Sequence, residues 1–208
     1  MDTAKKILVV TKDIGTLQFL SPGVRAAREA GHDIVIVAEG LSAAGWKKEG
    51  YTLAFQGSED FRKEPFKCDE DGMVSALKPD LVVVGTGSPI NLEDRFALAA
   101  NRASIPVIAA EDTYLACERL TAELSHALVI TPIAAELVRT KSRYAQVPTT
   151  VIGTHAANPP PDTPEYRAEI ARLRQGGLIV LCAGHGQPYT LDILRITLET
   201  MYRAIGFQ

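Results

Sequence analysis

Short runs of β-branched and other apolar residues, each followed by a stretch with helical spacing, recur along this chain and dictate what it can fold into. Ile7 to Val10, Ile34 to Val37, Leu81 to Val84, Ile105 to Ile108, Ala127 to Ile130 and Thr149 to Ile152 read as strands, and Tyr51 to Phe55 as a shorter one. Runs this short and this uniformly apolar are buried on both faces, as strands are in a parallel sheet. Between them, Leu17 to Ala30, Ser42 to Lys48, Asp69 to Leu77, Asn91 to Ala103, Thr113 to Leu124 and Pro132 to Thr140 carry helical spacing. Gly31 stops the first helix, and Pro132 suits the opening turn of the last. The βαβα alternation predicts an α/β fold: a Rossmann-like parallel sheet with helices on both faces.

One stretch interrupts the pattern. His155 to Glu165 reads HAANPPPDTPE, and four prolines in so short a span remove backbone donors and fix φ, so it reads as a semi-rigid connector. Beyond it, Tyr166 to Gln175 reads as a polar helix, Leu178 to Leu181 as one more buried strand and Thr190 to Ala204 as a last helix. We therefore expect a Rossmann-like domain over 1–154, a proline-rich connector and helix over 155–176, and a further βα unit over 177–208.

Charge and cysteine content narrow the function classes. Lys and Arg total 22 against 25 Asp and Glu, a net charge of −3, which argues against nucleic acid or an anionic membrane as partner. Cys68, Cys117 and Cys182 have neither zinc-site nor redox-motif spacing, and an odd number argues against a disulfide framework, so a reducing cytoplasm is expected. No apolar stretch reaches membrane-spanning length, and no metal set or required cofactor is signalled.

In an open parallel sheet, ligands bind at the carboxyl ends of the strands, near the point where strand order reverses. Four loops fall there. Thr11 to Thr16 offers Asp13, Gly15 and Thr16 at a helix start, without the three-glycine dinucleotide fingerprint or a phosphate loop. Gly85, Thr86, Gly87 and Ser88 give open backbone and adaptable hydroxyls. Glu111 and Asp112 place adjacent carboxylates at a strand end, fit for a base or for sugar hydroxyls; either Asp112 or Thr113 could instead cap a helix. Gly184, His185 and Gly186 set a histidine between glycines, where it can donate to a phosphate or act near neutral pH. His32 follows Gly31 at the opposite end of the sheet and reads as structural, and so do Trp46 and Tyr51.

The run ILVVTKDIGTLQFLSPGVRAAREAGHDIVIVAEG, with KPDLVVVGTG, ALAANRASIPVIAAED, SHALVITP, VPTTVIGTHAANPPPD and LIVLCAGHGQPYTLDILRITLE in that order, resembles the GT-B glycosyltransferases and the related non-hydrolysing sugar-nucleotide epimerases. The resemblance implies an acceptor-binding N-terminal domain followed by the start of a nucleotide-sugar-binding domain. On that reading the chain is the acceptor-side part of a glycosyltransferase, completed by a second domain or subunit. Its partners are a small-molecule or glycan acceptor and a nucleotide-sugar donor. Where many relatives carry a catalytic histidine after the loop glycine, this chain has Thr16, so Asp13 or Glu111 becomes the substitute base, with His185 facing the cleft. The alternative is a non-catalytic Rossmann-like domain that holds a nucleotide or small metabolite. A third reading is assembly, a homo-oligomer paired through the strand at Leu178 to Leu181.

Overall fold

The computed structural model describes residues 4–56, 68–87 and 92–153, together with Pro164 and Ala168. The chain divides into two compact units between Asn158 and Pro159, and the first is the one described below. The expected connector and everything assigned beyond it fall outside the described residues, apart from those two.

Seven parallel strands form one sheet: β1 (Lys6–Thr11), β2 (Asp33–Ala38), β3 (Leu53–Gln56), β4 (Leu81–Val84), β5 (Val107–Glu111), β6 (His126–Val129) and β7 (Thr149–Val151). Their order in space is β3-β2-β1-β4-β5-β6-β7, so the direction of winding reverses between β1 and β4. The Rossmann-like α/β fold expected from the alternation is the fold observed.

Residue alternation along each strand sorts the apolar side chains into two layers. Leu8, Val10, Val82, Val84, Val107 and Ala109 point to one face. There they meet α3 (Glu70–Leu77), α4 (Leu92–Arg102) and α5 (Pro132–Lys141) through Val74, Phe96, Ala134 and Val138. Val9, Ile36, Ala38, Val83 and Ala110 point to the other, where α1 (Ile14–Glu29) and α2 (Gly40–Lys48) pack through Leu17, Leu20, Val24 and Trp46. Trp46 is wholly buried, and its indole N–H donates to Thr11 Oγ1 at 2.8 Å, so the side chain is core as expected. Burying a side chain of this size contributes about 1.5–3 kcal/mol once its N–H is satisfied.

Local signals explain most boundaries. Thr131 caps α5 by accepting from the Ala134 amide at 3.0 Å, with Pro132 in the first turn. Asp69 caps α3 through the Gly72 amide at 2.9 Å, and Lys78 ends it in the left-handed conformation at φ 48°. Helix α1 continues through Pro22, losing one internal hydrogen bond, because its buried face is continuous on both sides of the proline.

Two elements depart from the expectation. Strand β5 begins at Val107 rather than Ile105, because Pro106 has no N–H to give the ladder; only its carbonyl takes part, accepting from Val82. The helix expected over 113–124 is absent. In its place stands a single 3-10 turn, Ala116–Arg119, preceded by Leu115 at φ 56°. The Glu111 carboxylate captures the amides of Leu115 (3.0 Å) and Cys117 (3.1 Å), which bends the chain back on itself before an α-helix can propagate.

Candidate functional site

At the reversal between β1 and β4, where an open parallel sheet leaves a crevice at the carboxyl ends of its strands, three of the four expected loops come together. Glycine contacts measure how closely. A Cβ on Gly15 would lie 2.7 Å from Asp112 Oδ2, which joins the β1–α1 turn to the end of β5. A Cβ on Gly85 would lie 2.6 Å from Thr16 Cγ2, which joins the same turn to the end of β4. A Cβ on Gly87 would collide with Asp13 Oδ2 and stand 3.0 Å from Glu93 Oε1. Thr16 is fully buried, and its hydroxyl lies 3.4 Å from Asp112 Oδ2, across 96 residues of sequence.

Within this cluster, exposure separates groups that a ligand can touch from groups that hold the frame. Asp13, Gly15 and Asp112 are half-buried at these strand ends. Burial, and then the negative charge of Asp13, push the Asp112 carboxyl above its usual range, while the Thr16 hydroxyl and Arg119 oppose the shift. Thr86 is buried; its hydroxyl donates to the Ala110 carbonyl at 3.2 Å, and its own carbonyl accepts from Arg119 at 3.0 Å. It therefore ties the β4 loop to β5 and to the 3-10 turn rather than offering a free hydroxyl.

Glu111 requires a correction. It shares the face of β5 with Val107 and Ala109, so its carboxylate points beneath the following loop, is fully buried and is occupied by two amides. Asp112, one residue on, leaves the strand toward the crevice. The same alternation that buries the sheet thus separates two adjacent carboxylates into a structural one and an accessible one. Ser88, Gly184, His185 and Gly186 lie outside the described residues. His32 Nδ1 accepts from the Lys5 amide at 3.1 Å, at the amino end of the sheet, in keeping with its structural reading.

Three buried charged groups behind the crevice escaped the sequence reading. Lys12 and Glu39 are both buried at adjacent strand ends, with Nζ 3.9 Å from Oε1. Burial raises the Glu39 carboxyl and Lys12 opposes that rise. Glu93 is 0% exposed, and neither of its carboxyl oxygens meets a hydrogen-bonding side chain among the described residues. A glutamate in the first turn of a helix ordinarily complements the dipole, which hides it. The available signal was its place on the stripe formed with Phe96, Ala97 and Ala100, the buried face of α4. Among the described residues no group of side chains is arranged to hold a metal ion, and no helix is long and apolar enough to cross a membrane.

A separate groove of about 500 Å³ runs along α1, lined by Ile7, Phe19, Leu20, Val83, Leu128 and Ile152 among others, with no titratable side chain on it. The chemistry-bearing groups are at the crevice instead.

Comparison with solved structures agrees with this architecture. The S. aureus protein MnaA, solved together with UDP, superposes on 73% of this chain with a TM-score of 0.53 and 15% identity. SsfS6, a glycosyltransferase of Streptomyces sp. SF2575, overlaps 63% of it at a TM-score of 0.44 and 17% identity. The chain spans 44% of the MnaA chain and 51% of SsfS6. The shared feature is the fold alone, a Rossmann-like parallel sheet covered by helices on both faces. No protein-family model matches the sequence, and no curated protein matches it significantly.

Proposed function

We propose that this chain forms the acceptor-side part of a glycosyltransferase-like enzyme that works with a nucleotide-sugar donor. The observation that carries the reading is the pair of half-buried carboxylates, Asp13 and Asp112, set on either side of Gly15 at the reversal of a parallel sheet. Carboxylates in a partly dry crevice bind hydroxyls and can remove a proton from one of them. The UDP bound in the MnaA structure supports a nucleoside diphosphate as the donor's leaving group.

In the proposed reaction an acceptor hydroxyl hydrogen-bonds to Asp13. As its oxygen forms the bond to the anomeric carbon of the donor sugar, the hydroxyl proton passes to the Asp13 carboxylate. The bond from that carbon to the diphosphate breaks, and the nucleoside diphosphate leaves with the electron pair. Asp112, steadied by Thr16, orients the acceptor through a second hydroxyl. Glu111 has no part in the chemistry. Gly184, His185 and Gly186 are assigned to the donor side by the family resemblance. Most of the rate gain on this reading is positioning, with the base adding about 10²–10⁴-fold.

The test is acceptor-dependent release of nucleoside diphosphate from UDP- and TDP-hexoses, alongside amide chemical shifts of Gly15 and Gly87 on adding UDP or acceptor glycosides. Asp13→Asn is expected to lower kcat by about 10²-fold or more while leaving KM for the donor nearly unchanged. A chain that releases no diphosphate and shows no shift at either glycine refutes the reading.

A further inference from the structure

Glu93 is the buried ionisable group that acceptor binding leaves unexplained. It enters on the first turn of α4, packs in the stripe with Phe96 and Ala97, and finds no hydrogen-bonding side chain for either carboxyl oxygen among the described residues. Its Oε1 and Asp13 Oδ2 both crowd the point where a side chain at residue 87 would begin, so the two carboxyls approach each other beside Gly87. The charged groups that face it are Asp13 and Lys12 from the β1–α1 turn and Glu39 from the β2–α2 turn. On its own helix, Arg95 acts on Glu39. Lys12, the cation among the groups acting directly on Glu93, is paired with Glu39 at 3.9 Å.

An ionised carboxylate in such a place would be largely desolvated and would face a second carboxylate, with only its own backbone amide and Lys12 favouring the charge among the groups acting on it. Two carboxyl groups that crowd one point do not both ionise, and the drier of the two retains the proton. We propose that Glu93 is a positioning residue for the crevice: it and Asp13 hold one proton between them beside Gly87, with the proton on Glu93, so that the negative charge facing the ligand is that of Asp13. A side chain at residue 87 would press on both carboxyls, which glycine avoids. Burial, with the charge of Asp13 adding to it, pushes the Glu93 carboxyl up to about 8, so the arrangement persists through neutral pH. The inference rests on the reading of Asp13 as the group that faces the ligand; it does not depend on sugar transfer.

The test is an NMR titration of the full chain carrying ¹³C at glutamate Cδ. One glutamate is expected to titrate near 8, and its resonance to vanish in Glu93→Gln. In Asp13→Asn the same resonance is expected to titrate at lower pH, because the facing charge is gone. Absence of any glutamate titrating above the ordinary range overturns the proposal. So does a high titration that Asp13→Asn leaves in place, since burial alone would then account for it. Neither readout uses a donor or acceptor. A chain with the coupled titration that releases no diphosphate and shows no shift at Gly15 or Gly87 on adding UDP or acceptor therefore refutes the proposed function and leaves this inference standing.

Discussion

Replacing Glu111 separates a structural carboxylate from a catalytic one. In the folded chain its two oxygens accept from the Leu115 and Cys117 amides at 3.0 and 3.1 Å, in a fully buried position. Hydrogen bonds to a charged acceptor contribute about 1.5–3 kcal/mol each, and truncation leaves the amides buried without partners. Leu115 also sits at φ 56°, a conformation that costs a non-glycine residue about 1–2 kcal/mol and that these bonds hold in place. Glu111→Ala should therefore destabilise the fold by about 3–5 kcal/mol. Glu111→Gln retains one carbonyl acceptor but turns an NH₂ group toward the second amide, so its loss should be about 2 kcal/mol. Urea unfolding gives the stabilities, and hydrogen exchange at the Leu115 and Cys117 amides reports whether the loop opens. Faster exchange at both, with a lower unfolding midpoint, is the expected result. If Glu111→Gln kept its stability and its slow exchange but abolished acceptor-dependent diphosphate release, Glu111 would belong to the chemistry and the alternation argument would be wrong.

Further outcomes follow from other sites. Glu93 ties stability to pH: between its ordinary 4.5 and about 8 the folded chain keeps a proton that the unfolded chain has released. Stability should accordingly fall as pH rises through that window, by about 3 kcal/mol between pH 5 and 8. Glu93→Gln should flatten that decline, and an equal slope in both proteins would refute the assignment. Gly85→Ala should cost about 1–3 kcal/mol by forcing a Cβ against buried Thr16, whereas Gly23→Ala, with open space around it in α1, should gain about 0.5–1 kcal/mol; thermal denaturation of the pair checks both signs. Burial pushes the Cys117 thiol up to about 12, so it should resist alkylation at pH 8 until the chain unfolds; labelling of the native protein at the unfolded rate would contradict its buried position.

Much of this architecture was legible in the chain itself. Leu81 to Val84 is a strand at the bounds expected, and the β-branched runs at Ile7 and Ile34 extend by one residue at each end. Such runs reflect local stiffness and burial, which neighbouring residues carry without help from distant ones. The alternation of strand and helix also fixed the parallel sense of the sheet, and with it the edge where Gly15, Gly85 and Asp112 would gather. Tertiary structure alone decided which of Glu111 and Asp112 faces the crevice, because that depends on where β5 begins relative to Pro106. It alone stopped the helix after Thr113, since two amides found a buried carboxylate before they found helical carbonyls. It alone brought Glu93 to Asp13 and Asp112 to Thr16, partners far apart along the chain. Periodicity records which way a residue points from its own element; only the packed sheet determines what stands opposite.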